Sequence, residues 1–365
     1  MKKIVGMILA ACLLASCLSH EGMVQDVKGY DAKALKNGAE VQFSKVNFAK
    51  VQDKKHAITG FPRKVVVAGD NVFIKTDNQL LRFSKSGKFR NLIGHRGHGR
   101  GEYVNLSTFY IESNKTIVVV DSYKGRLMRY GMDGIYKDEI KVGDLLQWTH
   151  DACLLGKDSL FVNNYVSENM HDVYGILNLK NKEMSVVAQT KLSTNRGLMP
   201  IGRNCFSAYQ GNVKYVMPFD DKVYDLEDSH YQYLTKQTII SEDKQEKVQD
   251  FSLFTYKIDD KNFTGFTDIF EINNYLLTAF SDWEYTLLDK RTNTCRRYSY
   301  KLADDLKFMP IVRIVATDGN QLVGIVNTDD LKNVKTYNRK DKNLEKLMSY
   351  RNEKDTYLLL FYDLR

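Results

Sequence analysis

The feature that most constrains the fold is a tandem repeat in the first half of the chain. The segment VFIKTDNQLLRFSKSGKF at 72–89 aligns with IVVVDSYKGRLMRYGMDGIY at 117–136. In each copy a short apolar strand, a polar turn, an aromatic-ended strand and a Ser-Gly or Asp-Gly turn follow in the same order. The two copies are about 40 to 45 residues apart, which is the length of one blade of a β-propeller.

Each repeat contains four short strands. Between 64 and 93 four runs of about five residues are separated by Asn, Asp and Gly turns, the pattern of an antiparallel meander. Weaker copies follow at 152–187, 206–238, 266–300 and 311–364. The chain carries 22 Tyr and 18 Phe but only four Pro, a composition that favours sheet. We therefore predict an all-β fold, a six-bladed β-propeller of four-stranded antiparallel blades.

One strand lies outside the six repeats. The run at 41–46 precedes the first blade and is predicted to complete the last one, which closes the ring and removes two exposed sheet edges. Two segments interrupt the repeats. The charged stretch 241–250 is predicted to be a short helix or loop, and 330–353 is predicted to contain a helix at 343–350.

The N-terminal residues predict export. Lys2 and Lys3 precede an apolar run at 4–15, which suits a signal peptide and is shorter than the about 20 residues of a membrane-spanning helix. The run ends in Leu-Ala-Ser-Cys at 14–17, which resembles the lipobox of bacterial lipoproteins. We predict a signal peptide at 1–16, a lipidated tether at 17–38 that holds the protein to a membrane through Cys17, and a propeller domain at 39–365.

Charge and cysteine content exclude several functions. The net charge of +8 is spread along the chain with no run of five basic residues, so we expect no nucleic-acid partner. Cys153, Cys205 and Cys295 follow Cys17 without a CxxC motif, so we predict no metal site and no cofactor. These three cysteines could form one disulfide with one free thiol, or they could all be buried free thiols. We expect the protein to be a monomer.

A glycine-rich segment at 93–103 reads IGHRGHGRGEY and is followed by GRLMRYGMDG at 125–134. This order resembles the six-bladed β-propeller lipoproteins of Bacteroides-type bacteria, which are similar to NHL-repeat propellers. Arg100 stands where proline is usual in that family. The resemblance covers the mature chain, with its specific part at 61–140. It implies the propeller fold and a cell-envelope location, as an outer-membrane-anchored lipoprotein that faces the periplasm or the exterior.

The glycine-rich segment leads into a strand rather than a helix, so it does not suit a phosphate loop. We interpret it as a connection between blades in which Glu102 binds backbone N–H groups. Its basic residues are candidates for a rim that binds an acidic sugar or a carboxylate, since arginine pairs with carboxylates in bidentate fashion. A solvated loop is the alternative. The residues concerned are His95, Arg96, His98 and Arg100.

Aromatic residues near predicted strand ends are the other candidates for ligand contact: Trp148, Trp283 and Tyr285, with His150 beside Asp151. A Gly-x-Ser-x-Gly nucleophile motif is missing from the sequence. We therefore predict a binding or scaffold module for a glycan or protein partner. The alternative is a propeller enzyme, a lyase or hydrolase with its site in the central channel.

Overall fold

The computed structural model describes residues 43–51, 58, 60–113, 115–166, 171–189, 204–217, 222–227, 232–234, 256–258, 261–263, 266–280, 284–292, 294–298, 313–334, 342–353 and 356–364. The described strands form six four-stranded antiparallel sheets arranged as a ring, together with one separate hairpin. The predicted six-bladed β-propeller is confirmed.

The strands follow one another in chain order within five blades. The first strand of the chain is β1 (Phe43–Lys50). Blade 1 contains β2 (Lys64–Ala68), β3 (Asn71–Lys75), β4 (Leu80–Ser84) and β5 (Phe89–Leu92), and blade 2 contains β6 (Thr108–Ser113), β7 (Thr116–Asp121), β8 (Arg126–Gly131) and β9 (Tyr136–Lys141). Blade 3 contains β10 (Thr149–Leu154), β11 (Ser159–Val166), β12 (His171–Asn178) and β13 (Glu183–Gln189).

The second half of the ring repeats this order. Blade 4 contains β14 (Phe206–Tyr209), β15 (Asn212–Val216), β16 (Lys222–Asp225) and β17 (Gln232–Leu234), and it is followed by the hairpin of β18 (Tyr256–Ile258) and β19 (Lys261–Phe263). Blade 5 contains β20 (Phe266–Ile272), β21 (Tyr275–Phe280), β22 (Glu284–Asp289) and β23 (Thr294–Tyr298). Blade 6 contains β24 (Arg313–Asp318), β25 (Gln321–Asn327) and β26 (Tyr357–Leu364).

Strand β1 is the fourth strand of blade 6. It pairs antiparallel with β26, from Phe43 opposite Leu364 to Lys50 opposite Leu358. The N-terminal strand therefore closes the ring, as predicted, although it extends beyond the predicted 41–46. Closure removes the two sheet edges that an open ring would expose to other chains.

Blade 6 also carries the insertion expected between its strands. It contains α1 (Thr328–Leu331), α2 (Lys342–Ser349) and a 3-10 turn (Tyr350–Asn352). Helix α2 begins one residue before the predicted helix and buries Leu344, Leu347 and Met348 in the cluster between blades 5 and 6. The segment 241–250, the second predicted interruption, lies outside the described residues. Among the described residues, no helix has the length and apolar character to cross a bilayer.

The core lies between the blades. Neighbouring sheets bury apolar side chains against each other, and the joint of blades 1 and 2 contains Phe73, Phe109 and Tyr130, all fully buried. Similar clusters join blades 2 and 3, 3 and 4, 5 and 6, and 6 and 1. The joint of blades 4 and 5 differs, because Lys214 of β15 lies 3.0 Å from Glu271 of β20.

The antiparallel order sorts the connections into two groups. In every blade the turn from the second to the third strand and the connection to the next blade lie at the same end of the strands. We call the face of the ring formed by these ends the crossover face. The innermost strand of each blade begins at this face, so the first residues of β2, β6 and β10 lie at the crossover end of the channel.

Two glycines of the repeat hold successive blades together at the rim. Gly87, in the turn from the third to the fourth strand of blade 1, has φ +85°, and a Cβ there would lie 1.9 Å from the carbonyl oxygen of Lys50 in β1. Gly134, at the same position in blade 2, has φ +84°, and its Cβ would lie 2.1 Å from the carbonyl oxygen of Leu92 in β5. The Ser-Gly and Asp-Gly turns of the repeat are therefore points of close backbone approach between blades.

The substitution Gly87→Ala is expected to lower the free energy of unfolding by at least about 2 kcal/mol, because it adds a backbone clash at the ring-closing strand to the cost of a positive φ. Gly69→Ala is the matched control. Gly69 also has a positive φ in blade 1, but nothing lies within 4 Å of its Cβ position. Its expected loss is about 1 kcal/mol. Urea unfolding of both variants measures the difference, and equal losses would show that the contact of Gly87 with β1 is unimportant.

Candidate functional site

Three blades contribute to a polar cluster at the crossover end of the channel. Lys64 begins β2, Thr108 begins β6, and Asp151 lies near the start of β10. The ammonium of Lys64 forms an ion pair with Oδ1 of Asp151 and donates a hydrogen bond of 3.1 Å to Oγ1 of Thr108. The Thr108 hydroxyl donates to the same Asp151 oxygen at 2.8 Å. The cluster therefore links blade 1 to blade 3 past the inner strand of blade 2.

One carboxylate oxygen of Asp151, Oδ1, accepts hydrogen bonds from three donors. Besides Lys64 and Thr108, the backbone N–H of Ala152 donates to Oδ1 at 2.9 Å. The side chains of Lys64 and Asp151 are only 13% and 8% exposed. A buried ion pair of this kind is stable only when both charges are well partnered.

His150, next to Asp151 in sequence, lies at an irregularity in the pairing of β10. The pairing of β10 with β11 shifts between Thr149 and Asp151, so His150 is the extra residue of a β-bulge. It is exposed, yet the surrounding protein displaces enough water to lower its pKa below the usual value, against the opposing attraction of Asp151. A neutral imidazole at this position can both donate and accept hydrogen bonds.

Trp148 precedes this bulge in an uncommon backbone conformation. Its φ is 61°, and its side chain is 51% exposed. The adjacent Thr149 is buried, and its hydroxyl lies 2.8 Å from both the Leu146 carbonyl oxygen and Oδ1 of Asn164. A bulky residue with a positive φ is costly unless its surroundings impose it. Thr149 and Asn164 fix the chain on the C-terminal side, and the indole is left facing solvent.

The glycine-rich connection between blades 1 and 2 is also ordered by specific contacts. Glu102 accepts a 2.7 Å hydrogen bond from the backbone N–H of Gly99, and its other oxygen lies 2.7 Å from Nε2 of His95. These two contacts, the Gly99 N–H first, lower the pKa of Glu102. The predicted binding of backbone N–H groups by Glu102 is confirmed. Arg96 donates to Oδ1 of Asn78 at 3.0 Å.

The basic residues of this connection remain accessible. His95, Arg96, His98 and Arg100 are all exposed. They lie on the crossover face, as Trp148 and His150 do, but on a different connection.

Tyr285 is placed differently from the sequence prediction. Its side chain is 7% exposed and belongs to the cluster between blades 5 and 6, where its hydroxyl accepts a 3.3 Å hydrogen bond from the N–H of Ile314. The sequence analysis named this ring as a candidate for ligand contact, whereas the register of β22 turns it into the joint rather than toward solvent. Trp283 lies outside the described residues.

The structure adds two residues that the sequence analysis did not single out. Lys64 and Thr108 are ordinary residues in the repeat pattern, and only their position as the first residue of an inner strand distinguishes them. Of the cysteines, Cys153 and Cys205 form no disulfide. Burial, reinforced by Asp151, raises the pKa of Cys153 to about 12 and keeps its thiol protonated. Within the described part of the chain, no group of three or more His, Cys, Asp or Glu residues is arranged to hold a metal ion.

Replacement of Asp151 by alanine is expected to lower the free energy of unfolding by about 3 kcal/mol, because it leaves the Lys64 ammonium buried without its counter-ion. The exposed pair of Arg63 and Asp77, 2.8 Å apart, supplies the control, and Asp77→Ala is expected to cost less than about 1 kcal/mol. The double variant Lys64→Met/Asp151→Leu is expected to recover most of the loss. Thermal and urea unfolding report these values, and similar losses for Asp151→Ala and Asp77→Ala would contradict the buried pair.

Comparisons with known proteins define the family. The family model described as "Domain of unknown function (DUF4934)" matches residues 33–362. A protein of Bacteroides fragilis named "Putative exported protein" has a similar structure, with a TM-score of 0.69, 21% identity, and coverage of 88% of this chain and 95% of that chain.

A member of the DUF4221 family from Bacteroides vulgatus has a TM-score of 0.53 at 9% identity, and the match covers 89% of this chain and 97% of that chain. At these identities the two likenesses show the shared fold alone. No curated protein matches the sequence. The lipid anchor and the relation to NHL repeats stay predictions. Since the family model covers nearly the whole propeller, the chain belongs to the DUF4934 family.

Proposed function

We propose that this protein is a cell-envelope lipoprotein whose propeller binds a glycan at the crossover face, around blades 1 to 3. The observation that carries the proposal is the distribution of exposed aromatic rings. Among the described residues, the exposed large aromatic side chains are Phe61, Tyr123 and Trp148. Phe61 and Trp148 lie on connections between blades, and Tyr123 lies in the turn between β7 and β8, so all three belong to the crossover face.

Exposed aromatic rings suit the flat, apolar faces of sugar rings. A tryptophan or tyrosine offers a large rigid surface with little loss of side-chain entropy on binding. Hydroxyl groups of a sugar need polar partners as well, and the exposed His150 and the basic connection at 95–100 lie on the same face. An apolar surface with a few placed polar groups is the usual composition of a small-molecule site.

The proposed location rests on the N-terminal sequence. The apolar run at 4–15 followed by Leu-Ala-Ser-Cys supports cleavage before Cys17 and lipid attachment to it. The B. fragilis protein of similar fold bears a name that refers to export, which agrees with this location. A lipid on Cys17 and a tether to residue 38 would hold the ring close to the outer membrane.

The enzyme alternative draws less support from the described residues. Asp151 is the carboxylate nearest to His150 in sequence, but one of its oxygens already accepts three donors. Cys153 is held protonated by burial. The imidazole of His150 is the remaining candidate base at this cluster, but the nearby thiol is not ionised as a nucleophile, so binding without turnover is the function that we propose.

Trp148→Ala is expected to weaken glycan binding by about tenfold or more, because it removes a central aromatic contact. Binding is measured by calorimetry against soluble xylo-, gluco-, galacto- and galacturono-oligosaccharides. Val186→Ala is the control, since Val186 is also exposed but lies in β13, the outermost strand of blade 3. Loss of binding in Val186→Ala with full binding in Trp148→Ala would place the site elsewhere, and turnover of any of these sugars would favour an enzyme.

Cys17→Ser is expected to abolish incorporation of a palmitate analogue and to move the protein from the membrane fraction to the soluble fraction. Cys12→Ser is the matched control, because Cys12 lies inside the predicted signal peptide and leaves with it. Metabolic labelling with alkyne-palmitate followed by fractionation checks both. Labelling that persists in Cys17→Ser would refute the lipid anchor.

A further inference from the structure

Two lysines stand side by side at the crossover end of blade 1. Lys64 of β2 and Lys75 of β3 are direct partners in the strand register. Directly opposed residues of an antiparallel pair project from the same face of the sheet, with Cα atoms about 4.5 to 5.5 Å apart. The alternate residues Val66 and Ala68 pack toward blade 2, so both lysines project into the joint of blades 1 and 2.

The two ammonium groups have different surroundings. Lys64 is held by Asp151 and Thr108. Lys75 is 8% exposed, and among the described residues its ammonium has neither a hydrogen bond nor an ion pair. An ammonium on a largely buried side chain is unfavourable when no protein group pairs with it, and like charges directly opposed across two strands add to that cost.

The charged groups near Lys64 and Lys75 do not neutralise the positive charge of these two lysines. The groups that act on Lys75 are Asp77 of its own turn, Lys64 and Arg63 at the start of β2, and Asp151 of β10. With Lys75 itself, these are three cations and two carboxylates, so one positive charge remains unbalanced. Burial is the largest influence on Lys75 and lowers its pKa to about 8, with Asp77 acting in the opposite direction.

We propose that Lys75, positioned beside Lys64, is an anion subsite that binds the carboxylate or sulfate group of an acidic glycan. This inference rests on the proposed glycan-binding function and adds the charge of the ligand to it. Lys64 is fixed by its contacts with blades 2 and 3, whereas Lys75 offers three N–H donors that nothing in the described structure uses. An anion beside it balances the excess charge and supplies the missing acceptors. The exposed Arg96 and Arg100 extend the positive surface at the same end of blade 1.

Matched ligands and matched variants test the subsite on the full mature protein. The ligands are tetragalacturonate, its fully methyl-esterified form, and inorganic sulfate. Lys75→Met removes the charge while keeping the side-chain length, Lys75→Arg keeps the charge, and Lys115→Met removes an exposed lysine from the first turn of blade 2, at the opposite face.

Wild-type protein and Lys115→Met are expected to bind tetragalacturonate at least about tenfold more tightly than the ester, a difference of one charged contact. This preference is expected to vanish in Lys75→Met and to persist in Lys75→Arg. Without ligand, Lys75→Met is expected to melt at a higher temperature than the wild type, because an uncompensated buried charge is gone. The higher melting temperature also shows that loss of binding does not come from misfolding.

The pH dependence supplies an independent readout. A bound anion stabilises the protonated form of Lys75, so affinity is highest below pH 8 and falls as the pH rises through that value. Sugar carboxylates are ionised throughout this range, and His150, whose pKa is lowered, is already neutral there. In Lys75→Arg the affinity is expected to stay constant between pH 7 and 9.

The outcomes separate this inference from the proposed function. Equal binding of acid and ester, unaffected by Lys75→Met, overturns the anion subsite and leaves glycan binding intact. If neither sugar binds but sulfate raises the melting temperature of the wild type more than that of Lys75→Met, the subsite holds and the glycan proposal fails. If neither sugar binds and sulfate acts equally on all variants, both are overturned.

Discussion

The antiparallel pairing of β1 with β26 holds the six blades in a closed ring, and the positions of all other elements depend on it. Each blade is a small sheet that buries its faces only against its two neighbours, so an open ring would expose two faces and two edges. The closing strand β1 also contacts the next blade, since the backbone of Gly87 in blade 1 packs closely against the backbone of Lys50. Gly134 makes the same contact with β5, which shows that the closure reproduces an ordinary joint between blades.

Closure brings the starts of the inner strands together and so creates the polar cluster. Lys64 and Asp151 are 87 residues apart in sequence and belong to different blades, yet they form an ion pair with Thr108 between them. Because the cluster fixes Lys64, the charge of its neighbour Lys75 is left without a partner among the described residues. Trp148 directly precedes β10, and His150 and Asp151 lie at its start. The buried charges are therefore close in sequence to an exposed aromatic side chain.

Much of this architecture could be predicted from the sequence, because a blade is a local unit. The turns and strand lengths between 64 and 140 are encoded within each repeat, and the closing strand follows from the need to cover an edge. Trp148 was identified as a candidate because it lies near a predicted strand end, and the segment at 95–100 because it is a predicted connection between blades. Tyr285 was misplaced because a shift of one residue in a strand's register moves its side chain to the opposite face.

The cluster of Lys64, Thr108 and Asp151 could not be predicted in the same way. Its members are separated by 43 and 87 residues and meet only through the geometry of the closed ring. The sequence also could not predict that Lys75 lacks a counter-ion among the described residues, because this depends on Asp151 forming its ion pair with Lys64. The charge distribution of the site is therefore a property of the tertiary structure.

Hydrogen–deuterium exchange of the mature protein, with and without saturating tetragalacturonate, tests the location of the site most directly. Slower exchange is predicted at 61–64, 75–79, 93–109 and 148–152, all at the crossover face of blades 1 to 3. Protection confined to the opposite turns, at 69–70, 115 and 155–158, would contradict the account.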